Sequence, residues 1–456
     1  KQMLKSNINY LEPELMDVVR LFSGAETLEI QHTFTQGHML RNAFCIDGCE
    51  YVYEDAHESA GIEKSDIKRA SKLALYRLLS ERFQKTLPWG SLTGIRPTRL
   101  AYQQLESGAA FEPFFQKLGV SEENTELVSR VIAGQKNIYE KREGNVDLYV
   151  SLPFCPSKCV YCSFITAPVS ATRKYIPDYL NALKKELAAA EPLLKNLRSV
   201  YVGGGTPFAL EAEELECVLQ AIAPLRQNGC EYTVEAGRPD VFSREKLDLC
   251  RKYGVTRLCI NAQSFSDETL GVIGRKHTAE QIYKAFEITK PYGFVINCDL
   301  IAGLTGESAE SFFHSVDSAV ALAPENITVH TLCLKKGAKL KEETSELADG
   351  ALAEMIAYSR RALTQAGYEP YYLYRQKYMA GAHENVGWTK SGHASVYNID
   401  VMEECADNLA VGANAVTKKL YLSEGRIERL GSPKDIPTYL EKVEKVIADK
   451  NKLFLS

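Results

Sequence analysis

From about residue 148 onward, short apolar runs alternate with longer stretches of helical periodicity. The apolar runs predict six strands, at residues 148–152, 200–202, 232–235, 257–261, 295–300 and 327–332. The stretches between them predict helices at residues 175–194, 213–225, 244–253, 279–292 and 308–322. This alternation is typical of an α/β fold, in which helices cover a parallel sheet. Functional residues of such folds lie at the carboxyl ends of the strands, where loops converge.

The first 145 or so residues show a different pattern. Extended stretches at 26–34, 39–45 and 50–54 precede one long amphipathic helix at 67–83. We therefore predict a small N-terminal α+β module. Within it, Cys45 and Cys49 flank an Asp-Gly pair between apolar residues, which favours a β-hairpin over a metal-binding loop.

The sequence beyond residue 366 is dense in Tyr, Gly, Asn and Lys, and its end has helical periodicity at 436–448. A chain of 456 residues is longer than one hydrophobic core usually supports. We predict three domains: the α+β module at 1–145, the α/β unit at 146–365 and a C-terminal region at 366–456.

The charge balance excludes several classes of function. The formal net charge is −5 and the pI is about 6.0, with residues of both signs interleaved. Because there is no basic excess, we expect neither nucleic acid nor a membrane surface as a partner. No apolar run reaches the length of a transmembrane helix, and the first residues lack the apolar stretch of a signal peptide. We therefore expect a cytoplasmic protein.

Cys155, Cys159 and Cys162 form a CxxxCxxC motif. This spacing allows three thiolates to bind one side of a 4Fe-4S cluster, which normally takes four cysteines. A triplet without a fourth partner leaves one iron for a ligand that is not protein. The alternative is a structural zinc site, but no second cysteine pair completes its shell, and His383 and His393 are distant in sequence. The motif therefore favours the iron–sulfur cluster.

A glycine-rich loop, Gly203-Gly204-Gly205-Thr206-Pro207, follows the second predicted strand. Successive glycines let the main chain approach a ligand without obstruction by Cβ atoms, and they leave backbone polar groups available to bind it. A simple turn is the alternative for this loop taken alone.

Polar residues stand at the ends of the next three predicted strands: Glu235 ends the third, Gln263 follows the fourth and Asp299 lies near the end of the fifth. Burying such groups without a partner is unfavourable, so they indicate a bound polar ligand. Arg275, further along the chain, is suited to form a bidentate pair with a carboxylate. The alternative for each residue alone is an internal hydrogen bond or a surface charge.

The segments around these residues resemble those of one family. The strings LYVSLPFC, VYVGGGTP, VEAGRPD, RLCINAQSF and DLIAGLTGES are similar to the oxygen-independent coproporphyrinogen III dehydrogenase family, the HemN group of the radical S-adenosylmethionine (SAM) enzymes. Segments at 88–98, 371–377, 384–387 and 432–435 are most similar to its HemZ branch. The resemblance covers nearly the whole chain. It implies a partial (β/α)6 barrel, with the C-terminal region as a cap that covers the substrate.

The resemblance also implies the cofactors, a 4Fe-4S cluster and SAM, and the roles of individual residues. Cys155, Cys159 and Cys162 are the expected cluster ligands and the catalytic residues. In the family, the residue at Tyr161 lies against the adenine of SAM, the glycine-rich loop contacts the methionine amino group and Arg275 pairs with the methionine carboxylate. The full set of expected SAM-site residues is Tyr149, Tyr161, Phe164, Gly204, Gly205, Thr206, Glu235, Gln263, Arg275 and Asp299.

The implied activity is the oxidative decarboxylation of a tetrapyrrole. An electron from an external donor such as flavodoxin or ferredoxin would cleave SAM, and the resulting radical would abstract hydrogen from a propionate. Two such reactions convert coproporphyrinogen III to protoporphyrinogen IX. Candidate propionate contacts are Arg375, Lys377 and Arg96, the last in a Gly- and Pro-rich loop at 88–99, with structural salt bridges as the alternative.

One departure from the family pattern leaves rival functions open. Classical members read CxxxCxxCxC, whereas Cys162 is followed by Ser163 and Phe164 here. This ending resembles the haem chaperone branch, whose members bind haem for a client protein. A third possibility retains the radical chemistry but opens or methylates haem. The segments similar to the HemZ branch favour the decarboxylase.

Overall fold

The structure, a computed structural model, describes residues 4–22, 25–56, 62–94, 96–164, 166–333, 349–376 and 383–455. The chain forms two compact units, one made of Lys1–Ser129 with Tyr374–Glu384 and the other of Arg130–Leu373 with Asn385–Ser456. The three-domain division stays a prediction. Among the described residues, no helix is both long and apolar enough to cross a membrane.

The first unit contains a four-stranded sheet with helices packed against it. Its strands are β1 (Leu4–Ser6), β2 (Ile30–Gln36), β3 (Met39–Ile46) and β4 (Cys49–Ala56), and its helices are α1 (Glu12–Val19), α2 (Lys64–Phe83), α3 (Pro97–Glu106) and α4 (Glu112–Lys117). The strand order is β1-β2-β3-β4, with β1 parallel to β2 and the other pairs antiparallel. Leu15, Phe44 and Leu75 belong to the core between α1, α2 and the sheet.

The predicted hairpin in this unit is confirmed. Ile46 pairs with Cys49, and the two turn residues, Asp47 and Gly48, have φ angles of 51° and 77°. A two-residue turn with both φ values positive matches the twist of the strands, which is why the Asp-Gly pair predicts it. The loop predicted at 88–99 is shorter than expected, because α3 begins at Pro97, and proline suits the first position of a helix.

Helix α5 (Glu122–Gln135) precedes the large sheet of the second unit. The strands that follow are β5 (Asn145–Leu152), β6 (Phe154–Cys155), β7 (Ala167–Pro168), β8 (Asn196–Gly204), β9 (Glu231–Gly237), β10 (Arg257–Gln263), β11 (Val295–Ala302), β12 (Asn326–Thr331), β13 (Glu369–Tyr374), β14 (Asn385–Thr389), β15 (Asp407–Val411), β16 (Val416–Tyr421) and β17 (Arg426–Gly431). The helices are α6 (Val169–Thr172), α7 (Ile176–Ala190), α8 (Ala212–Ile222), α9 (Arg244–Lys252), α10 (Asp267–Val272), α11 (Ala279–Thr289), α12 (Ala309–Leu322), α13 (Asp349–Gln365), α14 (Val396–Glu403) and α15 (Ile436–Leu455).

The predicted α/β fold is confirmed. Strands β5, β8, β9, β10, β11 and β12 correspond to the six predicted strands, and they lie next to one another in parallel pairs. The C-terminal region adds five strands that the sequence analysis did not predict, β13 and β14 on the side of β12 and β15, β16 and β17 on the side of β5. Strand β15 extends the parallel sheet beside β5, and β14 pairs antiparallel with β12. Both have only five residues, too few for a clear pattern of apolar positions.

The two faces of the sheet differ in chemistry. In β5, Val146, Leu148 and Val150 belong to the core that the sheet forms with its helices. Asp147 and Tyr149, between them, lie on the opposite face because side chains alternate along a strand. The same alternation in the neighbouring strands gives the sheet one apolar face and one polar face.

Helix α14 begins on the polar face. Glu231 forms an ion pair with Arg257 at 3.0 Å, and Arg257 also donates to Asn326. The Glu231 carboxylate accepts hydrogen bonds from Ser395 Oγ at 2.8 Å and from the backbone N–H of Val396 at 3.2 Å. A carboxylate at a helix N-terminus satisfies backbone donors that lack helical partners, so Glu231 fixes α14 to the sheet.

The C-terminal helix α15 is held by a buried charge. Glu186 of α7 accepts hydrogen bonds from Lys450 Nζ, from Tyr439 Oη at 2.5 Å and from the backbone N–H of Gly412 at 2.9 Å. Lys450 also donates to the carbonyl of Ala410. Because both charged groups are buried, removal of one leaves the charge of the other without its partner.

We predict that Lys450→Met destabilises the second unit by about 3 kcal/mol, because it leaves the Glu186 charge buried without its cation. The guanidinium chloride midpoint of the apo protein would measure this change. Lys185→Met is the matched control, since Lys185 pairs with Glu444 between the same two helices but is 65% exposed. That variant should change stability by less than about 1 kcal/mol. Equal losses for the two variants would contradict the prediction.

Candidate functional site

The three motif cysteines lie in one loop, Cys155–Cys162, which we call the cluster loop. All three thiols are partly buried. The loop begins where β6 pairs with β7, directly after the carboxyl end of β5. The backbone N–H of Cys162 donates to the carbonyl of Cys159 at 3.2 Å, which closes a turn between these two residues. The structure therefore places the motif at the edge of the sheet that the sequence predicts.

The electrostatics of the thiols suit an iron–sulfur cluster. Burial raises the pKa of Cys155, and it raises the pKa of Cys162 to about 11. A bound metal cluster would stabilise the thiolate form of these neighbouring cysteines against this effect. Within the described residues, no group of three or more His, Cys, Asp or Glu side chains is arranged to hold a metal ion. Each thiolate of a 4Fe-4S cluster binds a different iron, so the cysteines need not converge on one point.

The glycine-rich loop packs against the backbone that leads into the cluster loop. Gly205 N donates to the carbonyl of Leu152 at 2.8 Å, and Thr206 N donates to the carbonyl of Phe154 at 2.7 Å. A Cβ atom on Gly205 would overlap the Phe154 carbonyl oxygen. Gly204 has a φ of 98°, which strongly favours glycine. These two glycines are therefore required by the contact between the two loops, whether or not a ligand is bound.

Two carboxyl groups lie on the polar face near the ends of their strands. Asn261 Nδ2 donates to Glu235 Oε1 at 3.1 Å, and Asn297 Nδ2 donates to Asp299 Oδ1 at 2.8 Å. Gly203 leaves room for Glu235, since a Cβ atom there would lie 2.5 Å from Oε2. Burial, together with the Asp299 carboxylate, raises the pKa of Glu235 to about 7. Such a shift is typical of a functional site, although buried structural groups also show it.

Several buried amide oxygens on this face have no hydrogen-bond partner. They are Asn261 Oδ1, Gln263 Oε1 and Asn297 Oδ1. Gln263 also has a φ of 70°, which is unfavourable for a residue with a side chain. Unsatisfied polar atoms and backbone strain at one place indicate a ligand that supplies hydrogen-bond donors. The hydroxyl groups of a ribose are donors of this kind.

Arg275 links strand β10 to the cluster loop. Its Nη1 donates to the carbonyl of Asn261, and its Nη2 donates to Tyr161 Oη at 3.2 Å. Nε is buried and has no partner. The bidentate pair with the carboxylate of SAM stays a prediction, and the unpartnered Nε is a donor available for it.

Tyr149 belongs to a stack of three aromatic rings on the polar face. The rings are nearly parallel, with centroid separations of 6.1 Å between Tyr149 and Tyr201, 4.5 Å between Tyr201 and Tyr397, and 6.2 Å between Tyr149 and Tyr397. Tyr201 Oη lies 3.9 Å from Cys259 Sγ, although β8 and β10 are separated by β9. A contact across an intervening strand is favoured where the sheet curves inward, which indicates that the polar face is the concave one.

Two other predicted SAM-site residues differ in their surroundings. Thr206 is buried, and its Oγ1 donates to Cys155 Sγ at 3.8 Å. Phe164 is 65% exposed. The structure thus brings Thr206 to a predicted cluster ligand and leaves the ring of Phe164 largely in solvent.

The candidate propionate contacts belong to the first unit. Arg375 is buried, with its guanidinium over the Trp89 ring at 5.3 Å, and it donates to the carbonyl of Leu92. Burial lowers the pKa of Arg375 to about 10. These contacts favour the structural alternative for Arg375. Arg96 is half-buried at the start of α3, and Lys377 lies outside the described residues.

The sequence analysis missed three residues of this site: Asn261, Asn297 and Tyr397. The two asparagines alternate with apolar residues in β10 and β11, so the two-residue period of a strand was the signal that could have found them. Tyr397 lies more than a hundred residues from its stacking partners, and no local pattern indicates it.

The Radical SAM superfamily model matches residues 149–319, which contain the cluster loop and strands β8 to β11. The protein is therefore a radical SAM protein.

The Bacillus subtilis (strain 168) oxygen-independent coproporphyrinogen-III oxidase-like protein HemZ is 35% identical, over 86% of this chain and 82% of its own length. The B. subtilis haem chaperone HemW is 30% identical over 53% of this chain and 72% of its own. The solved structure of Escherichia coli coproporphyrinogen III oxidase (HemN), described as a radical SAM enzyme, has a TM-score of 0.55 at 20% identity, covering 69% of this chain and 72% of that one.

This chain belongs to the oxygen-independent coproporphyrinogen III dehydrogenase family, in the HemN group and its HemZ branch. The radical SAM family uses a 4Fe-4S cluster and SAM, so these are the cofactors of the protein and the zinc alternative is set aside. The residues described above fit both groups: three thiols in one loop, and the unpartnered amide oxygens of Asn261 and Gln263 at the carboxyl end of β10.

We predict that replacing Cys155, Cys159 or Cys162 by Ala abolishes the EPR signal of the reduced cluster and the reductive cleavage of SAM, because each thiolate binds one iron. Cys49→Ala is the control, since this cysteine is exposed in the first unit. An intact signal in all three variants would refute the assignment of the ligands.

We predict that Glu235 makes the stability of the SAM-free protein depend on pH. The folded state holds a proton on this carboxyl up to about pH 7, well above its usual pKa of 4.5, so the free energy of unfolding falls as the pH rises between these values. Glu235→Gln removes the titration. The variant should therefore be more stable than wild type at pH 8, by at most about 3 kcal/mol, and equally stable near pH 4. Unfolding midpoints at the two pH values would measure this. As a control, Glu441→Gln at an exposed position should leave the pH dependence of stability unchanged. A Glu235→Gln profile of stability against pH that runs parallel to the wild-type profile would contradict the prediction.

Proposed function

We propose that this protein is an oxygen-independent coproporphyrinogen III dehydrogenase of haem biosynthesis. It converts two propionate side chains of coproporphyrinogen III to vinyl groups, which gives protoporphyrinogen IX. Each conversion releases carbon dioxide and removes one hydrogen atom and one electron from the side chain. A further electron acceptor, of small-molecule or protein type, takes up the electron that the substrate loses.

One observation carries this proposal. The similarity to HemZ extends over 86% of the chain, whereas the similarity to B. subtilis HemW covers 53%. Substrate recognition involves regions beyond the SAM-binding barrel, because the barrel serves many different reactions. A relative that matches nearly the whole chain is therefore a better guide to the substrate than one that matches about half of it.

Cys155, Cys159 and Cys162 would hold the cluster, which together with SAM would supply the radical chemistry that removes hydrogen from the substrate. The protein residues position the groups and exclude water. Gln263 and Asp299 would hold the ribose of SAM, with Arg275 and the glycine-rich loop at the methionine end. The stacked tyrosines and α14 lie on the concave face behind these residues, where they restrict the entry of water to the reacting centre.

The proposed partners follow from this chemistry. The substrate is a small tetrapyrrole that carries propionates. The electron that reduces the cluster comes from a low-potential donor such as flavodoxin or ferredoxin. We place the activity in the cytoplasm, without a nucleic-acid or membrane partner.

A second candidate function is haem binding and transfer. It is favoured by the sequence after the third cysteine, Ser163-Phe164, which lacks the fourth cysteine of the classical family motif, and by the similarity to HemW. In this case the chain would bind haem stoichiometrically and leave coproporphyrinogen unchanged.

We predict that the reconstituted protein converts coproporphyrinogen III under anaerobic conditions in the presence of SAM, dithionite and an electron acceptor. Mass spectrometry should show loss of carbon dioxide and two hydrogens from each of two propionates, with formation of methionine and 5′-deoxyadenosine. The Cys159→Ala variant, treated identically, should yield no product. A cluster-loaded wild-type protein that binds one haem but gives no decarboxylated product would refute the decarboxylase and support the chaperone.

A further inference from the structure

Arg238 is a buried arginine in the loop after β9, and none of the roles described above involves it. It follows Gly237, whose φ of 79° turns the chain away from the strand. Asp240 fixes one edge of its guanidinium, because Nε donates to Oδ1 at 2.9 Å and Nη2 donates to Oδ2 at 2.7 Å. A bidentate pair of this kind sets the orientation of the guanidinium plane.

The other edge of the guanidinium contacts the cluster loop. Arg238 Nη1 donates to Ser157 Oγ. Ser157 is the middle residue of the three that separate Cys155 from Cys159. The side chain of Arg238 therefore connects the end of β9 to the segment that links two expected cluster ligands.

The surroundings of Asp240 keep its carboxylate available to Arg238. His277 Nδ1 lies 3.8 Å from Asp240 Oδ1, and the His277 side chain is fully buried. Burial, aided by the charge of Arg275, lowers the pKa of His277 to about 4, so the imidazole is neutral. Burial favours the neutral form of Asp240, but the hydrogen bonds and charge of Arg238 outweigh it and hold the pKa of Asp240 below its usual value.

The cluster loop is held by the loops after three successive strands. After β8, Thr206 Oγ1 donates to Cys155 Sγ at 3.8 Å. After β9, Arg238 donates to Ser157. After β10, the carbonyl of Ile273 accepts from the backbone N–H of Val160 at 3.1 Å. Of these three contacts, the one from Arg238 falls between the first two cysteines.

We propose that Arg238 is a positioning residue for the cluster: its hydrogen bond to Ser157 holds the segment between Cys155 and Cys159 in the shape that lets both thiolates bind the same cluster. Asp240 orients Arg238 for this contact. The proposal concerns cluster binding alone and does not depend on the tetrapyrrole or the reaction.

The test is the rate at which a chelator removes iron from the reconstituted, anaerobic protein without substrate. Ser157→Ala deletes the acceptor and leaves the Arg238–Asp240 pair intact, and Arg238→Gln deletes the donor. We expect each variant to lose iron about tenfold faster than wild type. The reason is that a hydrogen bond from a charged group contributes about the free energy that corresponds to a tenfold change in rate. The double variant should be no faster than Arg238→Gln alone, because both changes remove the same contact.

Four measurements separate positioning from a loss of fold. Ser157→Thr retains the hydroxyl and should retain the wild-type rate. Arg173→Gln, a variant of an exposed arginine paired with Glu211 and Glu214, should also leave it unchanged. The unfolding midpoint of Ser157→Ala should fall more in the cluster-loaded form than in the apo form, and the EPR g-values of its reduced cluster should shift.

The proposal is overturned if Ser157→Ala loses iron at the wild-type rate, or if the effects of Ser157→Ala and Arg238→Gln multiply in the double variant. It is also overturned if the apo form of Ser157→Ala is destabilised to the same degree as the loaded form, because the residue would then stabilise the fold generally. Should Arg238→Gln fail to fold, the Ser157→Ala and Ser157→Thr pair alone decides the question.

Discussion

The close approach between two stretches of backbone determines the geometry of this site. Gly205 donates to the carbonyl of Leu152, and Thr206 donates to that of Phe154, so the end of β8 is joined to the beginning of the cluster loop. A side chain at Gly205 would overlap the Phe154 carbonyl oxygen. Because this contact sets where Cys155 leaves the sheet, the other contacts of the cluster loop depend on it.

The alternation of side chains along the parallel strands explains how the sheet accommodates a polar interior. Residues such as Leu148 and Val150 face the helices and supply the hydrophobic core. The residues between them face the concave side, where burial of charge requires partners. The protein provides them through Glu231, Arg257 and the N-terminus of α14. Farther toward the carboxyl ends of the strands, the amide oxygens of Gln263 and Asn297 have no hydrogen-bond partner in the protein. A bound ligand can donate to them there.

Individual residues show how far the sequence could predict the site. The spacing of the cysteines and the Gly-Gly-Gly-Thr-Pro run follow local rules, and the structure places both at the same edge of the sheet. The sequence offered Arg375 as a candidate substrate contact, with a structural role as the alternative, and its burial against Trp89 favours the structural role. It gave Arg238 no role, because the contact with Ser157 joins residues that are 81 positions apart. Local patterns carry no information about such partners.

The amino-acid sequence by itself determined the six parallel strands, their covering helices, the hairpin at Asp47 and Gly48, and the cysteine triplet, because each of these depends on neighbours within a few residues along the chain. The tertiary structure alone decided which groups meet: the insertion of β15 beside β5, the stacking of Tyr397 on Tyr201, and the pairing of Arg275 with Tyr161. The physical reason is that these contacts follow from the curvature of the sheet and from long-range packing, both of which arise only when the whole unit is folded.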